Sequence, residues 1–234
     1  MQLPYWRIDP LGLQQGLERA WAAAGVQRRA PLPAAELQQR LESGERVVLC
    51  SGAATLALLQ AMGLQAPPVL AFSWAGVGRC DRAHLSAERI VMPLLGQRGG
   101  RETAASGAAV ICDSGLAPAP GGGLLVGQTS WFDRPIDDPP PVDQDFEQLS
   151  RVRSQLVPSL SESSYGPLRL QQQPVAYSRD QQPLLGPLPG CPNLSLFTGF
   201  GGPFALVPAL TPLMAQALAT EDWSQIRGLG LLCR

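Results

Sequence analysis

Apolar positions recur along this chain with two different periods, and the period changes from one segment to the next. Over residues 9–24, Leu13, Leu17, Ala20, Trp21 and Ala24 fall three or four apart, which predicts an amphipathic helix. Asp9-Pro10 supplies a cap and a proline for the first helical position, and Gly25 ends the helix. A second short helix is predicted over 34–41. Ser43-Gly44 then leads into Arg46-Val-Val-Leu-Cys50, an unbroken apolar run of the kind buried in parallel sheets. Ser51-Gly52-Ala53-Ala54 makes a tight turn, and 55–62 returns as a helix.

The middle of the chain changes character. Residues 69–74, 89–94, 108–112 and 124–127 read as short strands between loops rich in Gly and Pro, the pattern of an antiparallel sheet. Asp137-Asp-Pro-Pro-Pro-Val142 is a stiff, extended connector. A helix is predicted over 143–156, stopping before Pro158, and a further strand over 168–176. The tail then runs through an acidic turn, a short buried strand over 194–198, a glycine turn and a closing helix over 208–219. Glu221-Asp-Trp223 begins a polar tail that folds back as a last turn. The predicted class is α+β: an antiparallel sheet with packed helices, plus part of a parallel α/β layer from 47–62 and 194–219.

Composition narrows the function classes. With 45% hydrophobic and 16% charged residues, the chain has the balance of a globular protein with a well-covered core. A net charge of −1 leaves no electrostatic footprint for DNA or an anionic membrane. No run approaching the length of a membrane span is expected, and no signal-peptide layout, so the chain reads as cytoplasmic. Five cysteines, Cys50, Cys80, Cys112, Cys191 and Cys233, lie far apart, and His84 is the one histidine. That spacing fits neither a metal knuckle nor a redox pair, so no metal is expected and the thiols read as reduced. His84 in Arg82-Ala-His-Leu reads as a surface-loop residue, and Asp137-Asp138 as a solvated turn rather than an acid–base pair. Trp131-Phe132 either lines a pocket or caps the sheet.

Candidate chemistry concentrates in the tail. Asp180-Gln-Gln-Pro183-Leu-Leu-Gly186-Pro187-Leu-Pro189-Gly190 precedes Leu194-Ser-Leu-Phe197-Thr198, then Gly199-Phe200-Gly201-Gly202-Pro203-Phe204. A strand feeding a glycine turn and a helix brings backbone N–H groups toward a phosphate, because glycines remove side-chain bulk and the helix start is electropositive. This order resembles the C-terminal end of the glycine oxidase/D-amino-acid oxidase family of FAD-dependent oxidoreductases. The likeness extends along the chain. Trp6-Arg-Ile-Asp9-Pro10 with its following helix and Gly25-Val is similar to the family's entry into its substrate domain. Ser51, Gly52 and Ala53 match the family's small-residue turn against the FAD-binding sheet, although alone they fit a plain core strand entering a helix. Val110-Ile-Cys-Asp-Ser-Gly115-Leu-Ala-Pro118 and Gly121-Gly-Gly-Leu-Leu-Val-Gly127-Gln-Thr129 resemble its central hairpin.

The resemblance implies residues 1–45 and 64–176 as a substrate-domain-like region, and 46–63 with 177–234 as parts of an FAD-binding domain. It implies FAD contacts from Ser51, Gly52, Ala53, Asp180, Gly199, Phe200, Gly201, Gly202 and Pro203. Three departures stand against the family pattern. No strand with a Gly-x-Gly-x-x-Gly turn is present, so the chain is expected to match only the C-terminal two-thirds of the family and to hold FAD weakly or not at all alone. Where the amino-acid oxidases carry a carboxylate-binding arginine, five residues before the motif aspartate, this chain has Val175. Tyr177 and Arg169 are the substitute candidates for substrate binding. Pro203 donates no N–H at the terminal turn, which removes a hydrogen bond there.

The reaction implied is oxidation of a C–N bond in an amine or amino acid, with catalytic residues unassigned. Two alternatives accompany it: a non-catalytic or split homologue needing a separate FAD-binding partner, and a fragment similar to the FAD domain of the bacterial enzyme that modifies the tRNA wobble uridine. The last rests on Arg179-Asp180 in Arg-Asp-x-x-Pro-x-x-Gly-Pro-x-Pro. An incomplete sheet would leave apolar edges, so self-association or a protein partner is expected.

Overall fold

A computed structural model describes residues 8–81, 90–92, 96–104, 107–156 and 167–234. His84, Pro158, Trp6 and part of the strand expected over 89–94 lie outside the described residues. The chain divides into two compact units, Met1–Pro33 and Ala34–Arg234.

Among the described residues, the first unit holds one helix, α1 (Pro10–Ala23). Its start is as the sequence dictates: Pro10 sits in the first turn and Asp9 Oδ1 accepts a hydrogen bond from the Leu11 N–H at 3.2 Å. Gly25 follows at φ 71° and stops it. No residue of α1 is buried, and Leu13, Leu17 and Trp21 remain 42–43% exposed. The amphipathic stripe forms, but it covers no core.

The second unit is built on two sheets. α2 (Ala34–Glu42) leads to β1 (Val47–Leu49), then α3 (Ala54–Ala61) and β2 (Leu70–Cys80). There follow α4 (Arg98–Thr103), β3 (Val110–Pro118), β4 (Leu124–Trp131), α5 (Val142–Leu156) and β5 (Leu168–Ser178). The tail supplies β6 (Leu184–Leu188), β7 (Cys191–Thr198), α6 (Pro203–Thr220) and α7 (Ser224–Gly228). The four-stranded sheet has the order β3-β4-β2-β5 and is antiparallel throughout. The three-stranded sheet has the order β1-β7-β6, with β1 parallel and β6 antiparallel to β7. The class is therefore mixed α+β.

α5 closes one face of the four-stranded sheet, where Leu149 and Val152 join Cys80, Leu116, Leu124, Val126 and Leu168 in a core. A buried carboxylate fixes its position. Asp145, wholly buried, accepts from Trp131 Nε1 at 2.6 Å and from Gln172 Nε2 at 2.7 Å. Gly76 is the close-approach point beneath it, since a Cβ there would collide with Thr129 Oγ1 and Asp145 Oδ2. Phe132 is buried edge-on to Tyr177, with ring centroids 6.1 Å apart, so it caps the sheet and does not open a pocket.

In the smaller sheet, Leu194 and Leu196 pack with Leu49, Leu59 and Met62 on one side. Leu185 meets Leu210, Met214, Ala217 and Ile226 on the other. Four sequence expectations are corrected here. β1 is a three-residue edge strand with Val48 36% exposed, not a fully buried one. β6 lies where Gly186, Pro187 and Pro189 read as a turn; pairing with β7 overrides those residues, and Pro187 is tolerated because β6 is the outer strand. α4 was not legible in its glycines and arginines. The closing helix starts at Pro203 rather than 208 and contains Pro208 and Pro212. At 18 residues and a mean hydropathy of 1.3, α6 is long and apolar enough to cross a membrane by length and composition, contrary to the expectation of no such run. A second demand explains that composition: one face joins the core and another walls a cleft.

Candidate functional site

The cleft forms where two strand ends and a helix converge. β1 stops at Leu49, and the chain turns through Cys50, Ser51 and Gly52 into α3. Gly52, at φ 56°, permits the turn, which the Ala54 N–H closes on the Ser51 carbonyl at 3.2 Å. Beside β1, parallel β7 delivers Phe197 and Thr198 and then bends at Gly199, φ 77°, into Phe200. The Phe197 and Phe200 rings meet with centroids 4.8 Å apart and planes tilted by 58°. α6 follows at once, its first-turn N–H groups of Ala205 and Leu206 bonding back to the Gly202 carbonyl at 3.2 and 3.1 Å. Residues 173–176 of β5 close the far wall.

The enclosed volume is about 730 Å³. Its walls are Val48, Val175, Phe197, Phe200, Val207, Met214 and similar apolar groups, and no charged side chain lines it among the described residues. The polar atoms are few. The Thr211 hydroxyl is satisfied, donating to the Val207 carbonyl at 2.7 Å. Thr198 borders the cleft, yet its buried Oγ1 has no partner among the described residues. Cys50 also faces the cleft, and desolvation by the walls pushes its thiol up from the ordinary value.

Of the residues singled out from sequence, Gly52, Ala53, Gly199, Phe200 and Pro203 are brought together in this cleft. Ser51 sits just behind, its hydroxyl 2.9 Å from that of Thr55. Gly201 and Gly202 lie exposed at the start of α6, with N–H groups that take no partner among the described residues. Asp180 is elsewhere. It accepts from Ser178 Oγ at 2.8 Å and the Gln182 N–H at 3.1 Å, and pairs with Arg234, tying the β5–β6 turn to the C-terminal residue. Partial burial pushes its carboxyl up, but the bonds from Arg234, Ser178 and Gln182 outweigh that and hold it below the usual range.

The two substitute candidates do not reach the cleft. Tyr177 is buried against Phe132, and desolvation raises its phenol. Arg169 is paired with Asp81 at 3.1 Å at the opposite end of β5, six residues from Val175. At about 3.3 Å per residue that separation is roughly 20 Å. Val175 itself lines the cleft, and Gln173, two residues earlier on the same face, stands at its exposed margin. Sequence reasoning missed Gln173, Thr198 and the Val207–Met214 wall of α6. Of these, only Thr198 carried a local signal, its place next to the glycine turn.

A flavin ring fits the residues present better than a dinucleotide does. The apolar walls, Val48, Phe197, Phe200 and Val207 among them, suit a flat heteroaromatic ring. No cation or glycine-rich cradle for a diphosphate stands among the described lining residues.

Comparison with known proteins agrees with this geometry. A family model described as FAD dependent oxidoreductase matches residues 2–217. Among curated proteins none matches by sequence. The fold is similar to glycine oxidase from Geobacillus kaustophilus, with TM-score 0.55 and 20% identity over 77% of this chain and 44% of that one. It is also similar to L-proline dehydrogenase from P. horikoshii, with TM-score 0.52 and 16% identity over 76% and 43%. The chain thus spans less than half the length of these structures. With its match running over nearly the whole sequence, the chain belongs to the family of FAD dependent oxidoreductases.

Proposed function

We propose that this chain forms the substrate side and the ring end of the flavin site of an oxidoreductase acting on the C–N bond of an amine or amino acid. The observation that carries this reading is the convergence of the Gly52–Ala53 turn, the Gly199–Phe200 bend and β5 on one apolar cleft of about 730 Å³. FAD, when bound, supplies a two-electron oxidation of the C–N bond, leaving an imine that water hydrolyses. The chain's own residues bind and orient. Phe197, Phe200 and Val207 exclude water, and Val175 and Gln173 face the molecule to be oxidised. Similarity to glycine oxidase, L-proline dehydrogenase and iminodiacetate oxidase supports an amine or amino acid as substrate class.

A specific observation favours a second protein segment as partner in the site. β1 is bonded to β7 along one edge only, and its other edge is free among the described residues. A parallel strand added there would bring a diphosphate-binding turn to the end of the cleft that lacks one. The test is absorbance after desalting, with lumiflavin and with FAD. The reading expects lumiflavin to be retained and FAD to be held no more tightly, since the diphosphate end adds nothing here. Tight FAD binding with no lumiflavin binding would reverse the assignment of the two ends.

A further inference from the structure

We propose that this cleft selects an uncharged, apolar molecule and rejects a carboxylate, with Thr198 and Ser73 as its hydrogen-bonding residues. The inference rests on the reading of the cleft as the place where the oxidised molecule lies. Four buried side-chain polar atoms have no partner among the described residues, and two of them are Thr198 Oγ1 and Ser73 Oγ. Thr198 borders the cleft directly. Ser73 is paired across the antiparallel ladder with Val175, which lines the cleft. Directly opposed residues of such a ladder project on the same face, so the Ser73 hydroxyl belongs to the Val175 side of the sheet. Ser73 is 1% and Thr198 2% exposed.

A buried hydroxyl left unpaired is unfavourable, and natural structures retain few of them without a reason. Thr198 lines the cleft and Ser73 lies one strand behind its Val175 wall, and both are explained if each turns about χ1 toward a ligand atom. Hydroxyls suit a neutral group, able to donate or accept as required. A carboxylate would need a cation or several N–H donors, and neither lines these walls among the described residues. The same walls disfavour an ammonium ion, because no carboxylate lines them either. The preferred species is therefore the free amine of an apolar molecule without a carboxyl group. The free amine is also the form whose nitrogen lone pair supports oxidation of the adjacent C–N bond.

Benzamide and benzoate are matched probes, alike in size and differing in charge. Titration calorimetry on the full chain, without flavin, is expected to show benzoate binding at least tenfold more weakly than benzamide. Val175→Arg is expected to invert that order. Thr198→Val is expected to weaken benzamide about three- to tenfold, the range of one hydrogen bond, while raising the melting temperature of the ligand-free protein. Ser73→Ala gives a second variant with the same pair of signs. A purely structural role would move stability and leave the ratio of the two probes unchanged, which would overturn the hydroxyl assignment. Equal or tighter benzoate binding by the wild type overturns charge rejection, as does failure of both probes to bind. Lumiflavin titrated separately distinguishes the two readings. If lumiflavin fails while benzamide is preferred, the flavin reading falls and the selectivity stands.

Discussion

The two sheets of the larger unit are covered in different ways. In the four-stranded sheet every strand contact is antiparallel, α5 covers one face, and the buried Asp145 carboxylate is met by Trp131 and Gln172. In the three-stranded sheet β1 has a free edge, α6 presents apolar residues to a cleft, and Thr198 Oγ1 is buried without a partner. The contrast separates scaffold from site. A sheet covered by its own helix holds geometry, and unmet groups at or behind the cleft wall, Thr198 and Ser73, mark where something else binds.

The largest expected effect breaks the helix-covered half. Asp145→Ala leaves the Trp131 N–H and one of the two Gln172 amide N–H groups unpaired beneath α5, the other still donating to the Pro140 carbonyl, and a loss of about 3 kcal/mol is expected from those two stranded donors. Urea unfolding measures it, and a loss below about 1 kcal/mol would show that water replaces the carboxylate there. Thr198→Val, by contrast, is expected to stabilise the smaller sheet, since it removes an unpaired hydroxyl in place of a paired one.

A pH series sharpens the comparison, because each sheet has one strongly shifted thiol. Burial raises Cys112, in the larger sheet, and Cys233, packed on the smaller, to about 11 from 9.0. The unfolded chain ionises these thiols first, so their contribution to stability is complete below about pH 9. It is lost as the pH rises toward about 11. The melting temperature should fall across that window, and Cys112→Ala and Cys233→Ala should each flatten part of the slope. An unchanged slope in both variants would assign the alkaline loss to other groups. The smallest effect is expected from α1: Leu17→Ala removes an exposed side chain and should change stability by less than about 0.5 kcal/mol. A loss above about 2 kcal/mol would mean that the α1 stripe is covered in solution.

Much of the architecture was legible because it depends on local periodicity. α1, α2, α3 and α5 follow from apolar spacing and caps, and Asp9-Pro10 placed the first within a residue. β6 was hidden, because Gly186 and Pro187 signal a turn to any local reading while the strand exists through its pairing with β7. The site was half legible. The glycines at 52 and 199 stand where the backbone needs positive φ beside the cleft, which is a local property of those residues. Asp180 looked functional by its position in a motif and Arg169 as a substitute for the missing arginine, but the fold gave them other partners, Arg234 and Asp81.

By itself, then, the sequence determined most of the helices and strands, the glycine turns and the family, because each depends on neighbours a few residues apart or on their order. Only the tertiary structure decided that Thr198 and Ser73 lack partners, that Val175 faces a cleft without charge, and that α6 divides its apolar residues between core and cleft. Those facts depend on which distant segment lies opposite a side chain, and no local pattern encodes that.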